Sequence, residues 1–102
     1  MNPFYNCIEI MGNVGKKPVL RYLNEHTVTT RLSIAVSEQY RDQERTEWFA
    51  AILYGRQAEL ACQHLNTGDS VFVRGAMHSR RYEQNGTQQT VWEIQTDRLV
   101  LL

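Results

Sequence analysis

Hydrophobic and polar positions alternate along much of this chain, and a period of two marks a strand with one face in a core. From Val28 to Val36 the even positions are Val28, Thr30, Leu32, Ile34 and Val36, against Thr29, Arg31, Ser33 and Ala35 at the odd ones. Ser37 to Thr46 (SEQYRDQERT) is polar and reads as a hairpin loop. Glu47 to Gly55 (EWFAAILYG) is apolar on both parities, so this strand needs cover on both faces. A helix fits Gln57 to Leu65: Ala58, Ala61 and Leu65 fall on one stripe, and Asn66-Thr67-Gly68 supplies a stop. Alternation resumes from Ser70 to Tyr82. Its odd positions are Val71, Val73, Gly75 and Met77; its even ones are Phe72, Arg74, Ala76, His78, Arg80 and Tyr82. Asn85-Gly86 is the strongest hairpin signal in the chain. A further strand is predicted from Gln88 to about Thr96, before the apolar end Leu99-Val100-Leu101-Leu102. An opening strand over Asn6 to Met11 stops at Gly12-Asn13-Val14-Gly15.

The predicted order is strand, strand, strand, helix, strand, strand. One helix between the third and fourth of five strands is the succession of an all-β, five-stranded OB-fold barrel. At 102 residues the chain has room for a single domain, 1–102, and none for a second core. Its 42 % hydrophobic content is that of a folding globular chain rather than a disordered one. Eleven Lys and Arg balance eleven Asp and Glu, which excludes binding by bulk charge but not by charge gathered on one face. No run approaches the ~18 apolar residues of a membrane span. The opening MNPFYNCIEI has neither region of a signal peptide. Cys7 and Cys62 are isolated and suit a reducing compartment, so the expected location is the cytoplasm.

Catalytic chemistry finds no support. His26, His64 and His78 share no metal-ligand spacing with each other or with a cysteine, and no phosphate-binding loop or nucleophile elbow occurs. The expectation is a protein that is not an enzyme and needs no cofactor or metal. The informative feature is aromatic and basic side chains on a shared parity. Ser70–Tyr82 carries Arg74, His78, Arg80 and Tyr82 on its even face and contains no acid. Trp48 and Tyr54 share a parity on the preceding strand, with Ala50 and Ile52 between them, and Tyr40 stands at the hairpin just before Arg41. A second acid-free stretch, Ile10 to Leu23, holds Lys16, Lys17 and Arg21 next to Tyr22. Unpaired bases stack on flat rings, at roughly 1–3 kcal/mol per base, while phosphates are met by fixed Arg and Lys. The pattern therefore favours single strands over duplex. The bland alternative is that Trp48, Phe49 and Tyr54 are core residues and Phe72 and Trp92 serve packing or subunit contact. Glu38, Asp42, Glu44 and Glu47 are most simply solubilising charge.

These residues match a pattern. NCIEIMGNVGKKPVLRY, TRLSIAVSEQYRD, TEWFAAILYGRQAELA and LNTGDSVFVRGAMHSRRYEQNG, in that order, resemble successive segments of the bacterial-type single-stranded-DNA-binding proteins, over essentially the whole chain. The resemblance implies base stacking on Tyr40, Trp48, Tyr54 and Tyr82, where family members often carry Trp at the first and last of these. It implies phosphate contacts from Arg56, Arg80 and Arg81, less directly from Arg74, and with them Lys16 and Lys17. Cys7 stands where a Lys is common, which removes one such contact, and the hairpin after Tyr40 is short for the family. A homotetramer with two-fold interfaces is implied as well, with Phe4, Tyr5, Phe49, Trp92 and the Leu99–Leu102 end as the apolar surface for it. The family usually continues into a Gly/Pro/Gln-rich tail ending in an acidic, apolar peptide that recruits repair and replication enzymes. This sequence stops at Leu102, either as the core alone or as a tailless relative from a plasmid, phage or integrative element. A tailless chain also resembles the primosomal replication proteins, commonly dimers. The alternative function is thus an adaptor that mainly contacts replication or primosome proteins and binds single strands secondarily.

Overall fold

The computed structural model describes residues 3–102, so the first two positions of the expected domain lie outside the described residues. The strands are β1 (Ile8–Val14), β2 (Arg21–Tyr22), β3 (Val28–Tyr40), β4 (Gln43–Tyr54), β5 (Ser70–Gln84) and β6 (Thr87–Leu101), with helix α1 (Gly55–His64) between β4 and β5. They follow the order β1-β5-β6-β4-β3, and β1 also pairs β3, which closes a five-stranded barrel; β2 adds a short rung to β3. This is the OB-fold arrangement that the strand and helix succession predicts. Closure depends on a close approach. At Gly12 a Cβ would strike the carbonyl of Ala35 and the Ile34 side chain, so only glycine lets β1 cross onto β3.

The alternating positions do what their periodicity requires. Leu32 and Ile34 of β3, Ala51 and Leu53 of β4, Val71 and Val73 of β5 and Ile94 of β6 point inward and are buried. Ala58 and Ala61 of α1, with Leu65 just beyond it, close one end of the barrel. Phe49 is half-buried and packs against this core rather than offering an outer apolar surface, because it shares the inward parity of Ala51 and Leu53. The Lys17 ammonium donates to the Leu65 carbonyl at 3.3 Å and so satisfies a backbone acceptor at the C-terminal end of the helix.

Besides the unexpected short β2 and a helix that starts at Gly55 rather than Gln57, three stretches differ from the pattern-based expectation. The polar segment Ser37–Thr46 is not a loop: β3 and β4 pair without interruption out to Tyr40↔Gln43, around a two-residue turn in which Arg41 and Asp42 have φ of 49° and 65°. An arm that extends beyond the barrel has no core to face, so it lacks the apolar alternation that would mark it as a strand. The final strand runs unbroken to Leu101, with a bulge opposite Arg74/Gly75 that leaves Asp97 unpaired in the register. The opening strand begins two residues later than expected and continues through Val14, because Asn13 and Val14 pair with β3. Among the described residues no helix is long and apolar enough to cross a membrane.

Candidate nucleic-acid interface

Strand register decides which side chains share a face. Residues paired across a ladder point the same way, so Arg31–Ile52, Ser33–Ala50 and Ala35–Trp48 line the outer side of β3 and β4. Ile52 pairs with Gln95, which carries this side onto β6 and, through His78↔Glu93 and Arg80↔Val91, onto β5. Trp48, Tyr54, Arg80 and Tyr82 therefore stand on one continuous outer face of four strands. The three rings are 61 %, 44 % and 42 % exposed, so Trp48 and Tyr54 are not core residues, whereas Phe49 packs against the core.

Local packing holds these groups in place. A Cβ on Gly15 would lie 2.5 Å from the Trp48 ring, so the indole packs closely against the backbone of the β1–β2 connection. Between Tyr54 and Arg80 lies an open hollow of about 380 Å³, whose lining includes Arg21, Arg31, Ile52 and Glu93. A second depression, lined by Lys16, Arg21 and Arg31, continues from it along the β1–β2 connection. Glu93 is 3 % exposed at the floor of the first hollow. Its carboxylate accepts from Arg80 Nε at 2.8 Å and Arg80 Nη2 at 3.2 Å, and from Arg31 Nε at 3.2 Å. These hydrogen bonds, Arg80's first, hold the Glu93 carboxyl below its ordinary range against the opposing effect of burial. The Arg80 guanidinium also lies 5.8 Å from the centre of the Tyr82 ring, a cation–π distance.

Other sequence-predicted residues are dispersed. Tyr40 is exposed at the far end of the β3–β4 arm, on the opposite parity from Trp48, with the Arg41 guanidinium 5.2 Å from its ring centre. Arg81 shares a face with Ser79 and Trp92, on the other side of β5 from Arg80. Arg56 is exposed on the first turn of α1, two residues past Tyr54. Lys17 is held at the helix terminus, as described above, and by Asn66. Arg74 is six residues from Arg80, about 20 Å along the strand, and ion-pairs with Asp97 at 3.0 Å. Pattern reading did not single out Arg31 or Glu93. Arg31 is detectable as the one charged side chain at the outward positions of the Val28–Val36 alternation. Glu93 gives no such signal, since its role comes from a cross-strand pairing.

A model of the "Single-strand binding protein family" matches residues 5–102, nearly the full chain. The chain belongs to that family. Its structure is also similar to that of the SSB of Plasmodium falciparum in complex with single-stranded DNA, with a TM-score of 0.88 and 27 % sequence identity. That likeness covers 100 % of this chain and 98 % of the other, so the arms and the closing strand are included along with the barrel. This family is a DNA-binding one, in keeping with an open stacking face rather than an enclosed reaction site. Among the described residues no cluster of His, Cys, Asp and Glu has the makings of a metal site.

Proposed function

We propose that residues 1–102 act as one OB-fold domain that binds single-stranded DNA without strong sequence preference, protecting exposed strands during replication, recombination and repair. The observation that carries this reading is the placement of Trp48, Tyr54 and Tyr82 on one outer face with Arg31 and Arg80 between them. Stacking on rings is indifferent to base identity, since every base has a π-face. Phosphate contacts come from Arg80, which also pairs with Glu93, and from Arg56, Arg81 and Lys16, which pair with no acid among the described residues. Tyr40 meets the strand where it passes the β3–β4 arm. No catalytic step is assigned; the place of action in this reading is the bacterial cytoplasm, at the nucleoid or on a mobile element, and the two free cysteines suit such a reducing compartment.

Self-association is part of the reading. Over Ile8–Gly12, β1 pairs on one side with β5 and on its other side with no strand among the described residues. Phe4, Tyr5, Met11 and Leu102 are exposed around that edge. An open edge beside apolar side chains is a ready template for a second copy, and a homotetramer built on two-fold contacts covers it. Light scattering at micromolar concentration tests this: a mass near 11.9 kDa refutes association, and a stable dimer favours the adaptor role. Binding itself is tested by titrating matched oligothymidylate, oligouridylate and duplex DNA. Preference for the DNA single strand is expected. Equal or tighter binding of RNA points to a reader of the 2′-hydroxyl, and tighter binding of duplex overturns the stacking face.

A further inference from the structure

Among the described residues Glu93 is the only buried side chain that carries a charge. Taking a carboxylate out of water is costly, and an apolar residue of similar size would serve stability as well. Its geometry has a different use. Both oxygens accept from arginines whose side chains are more than half exposed, 53 % for Arg31 and 57 % for Arg80. Arg31 spends only its Nε on Glu93, and Arg80 only its Nε and Nη2. The remaining guanidinium nitrogens are left to the hollow, where Arg21 adds a third cation and Tyr54 a ring wall. Three guanidinium groups against one carboxylate leave the hollow positive. Arginines already held in place lose little freedom when they meet an anion, and their planar forks match a phosphate.

We propose that Arg31 and Arg80, fixed by the buried Glu93, form a two-guanidinium seat for one backbone phosphate of the bound strand, with the adjoining base stacked on Tyr54. Glu93 is the positioning residue of this seat and touches no DNA. The proposal rests on the single-strand reading above and adds Arg31 and Glu93 to it.

The charge change makes the test sharp. Glu93→Gln raises net charge by one, so bulk electrostatics predicts tighter binding and a steeper salt dependence. The seat predicts the opposite, a loss of about tenfold on oligothymidylate, because the two guanidinium groups lose their anchor. Arg31→Ala, exposed enough to spare the fold, is expected to weaken binding to a similar degree and to flatten the slope of log K against log salt by about 0.7. Arg31→Lys keeps the charge but not the fork and is expected to stay weak. Thermal melting of each variant separates lost binding from lost fold. Should Glu93→Gln bind as tightly as wild type or tighter, or Arg31→Ala leave affinity and slope unchanged, the seat is overturned while the functional reading stands. A wild-type protein that ignores oligothymidylate overturns the functional reading and the seat with it.

Discussion

Arg74 and Arg80 share a strand and an outward parity, and each holds a carboxylate of β6, yet their surroundings have little else in common. At Arg80 the acid lies beneath the guanidinium, its side chain 4 % exposed, and a second arginine crosses from β3 to share it. At Arg74 the acid is the bulged Asp97, 64 % exposed. Depth decides what such a pair can do. A submerged carboxylate fixes its arginines and faces them toward a ligand, whereas a solvated one merely neutralises its partner. The first wall carries rings and oriented cations; the second, through β1, carries Glu9, Met11 and the apolar edge read above as a subunit contact.

The strongest way to break this comparison removes the cations from both walls. Arg31→Ala together with Arg80→Ala strands a buried carboxylate, and a cost of about 3 kcal/mol is expected at neutral pH. The figure sits at the low end of the range for stranded charges, because water enters the emptied hollow. Arg74→Ala on the other wall is expected to cost far less, as exposed pairs do. Urea unfolding of the two variants measures both, and equal costs would mean that depth is irrelevant here.

The division between the walls could be read only partly from the sequence. Period-two alternation in Val28–Val36 and Ser70–Tyr82 sufficed for the inward residues, because burial imposes that pattern directly. It sufficed also for the shared parity of Trp48 and Tyr54. The arms were different. Asn85-Gly86 announces its turn, since both residues take positive φ readily, but Arg41-Asp42 adopts the same type of turn without that signature. Glu93 gave no signal for a deeper reason: its meaning depends on facing Arg80 across the β5–β6 hairpin and Arg31 on β3, a strand 62 residues away, and both are relations between strands. Parity along one strand could not reveal them.

A second experiment follows the ring face outward. Trp48 and Trp92 are both exposed, but Trp92 lies on the Ser79–Arg81 side of β5 and β6, away from Tyr54 and Arg80. Trp48→Ala is expected to cost roughly 1–3 kcal/mol of single-strand affinity, and Trp92→Ala distinctly less. In a Trp92→Phe background the remaining indole reports directly, and its fluorescence should be quenched on binding. Gly15→Ala should reproduce part of the Trp48 defect, since the added methyl pushes the ring off its seat.

Acid titration tests the buried carboxylate without any DNA present. The Glu93 carboxyl titrates below its ordinary range in the folded chain, so the unfolded chain takes up that proton first as pH falls. Its contribution to stability is complete above the ordinary carboxylate range and disappears as pH drops through the lowered folded value. Across that acidic window wild type should lose stability more steeply than Glu93→Gln. Parallel curves for the two would show that Glu93 gains nothing from its arginines.

The smallest expected effect tests whether the walls are separate at all. Arg74 has the charge to meet a phosphate, and Asp97 accepts from its Nε at 3.0 Å and is what holds it. Asp97→Asn weakens that hold. Because both side chains are well exposed, the stability change should be small. If bound DNA keeps to the ring face, affinity should be nearly unchanged, apart from the small uniform gain that one less negative charge gives at low salt. A gain in the steepness of the salt dependence approaching 0.7 would instead mean that the released guanidinium has captured a phosphate. The strand would then run past the ring face toward β1, and the division between a binding wall and a contact wall would be lost.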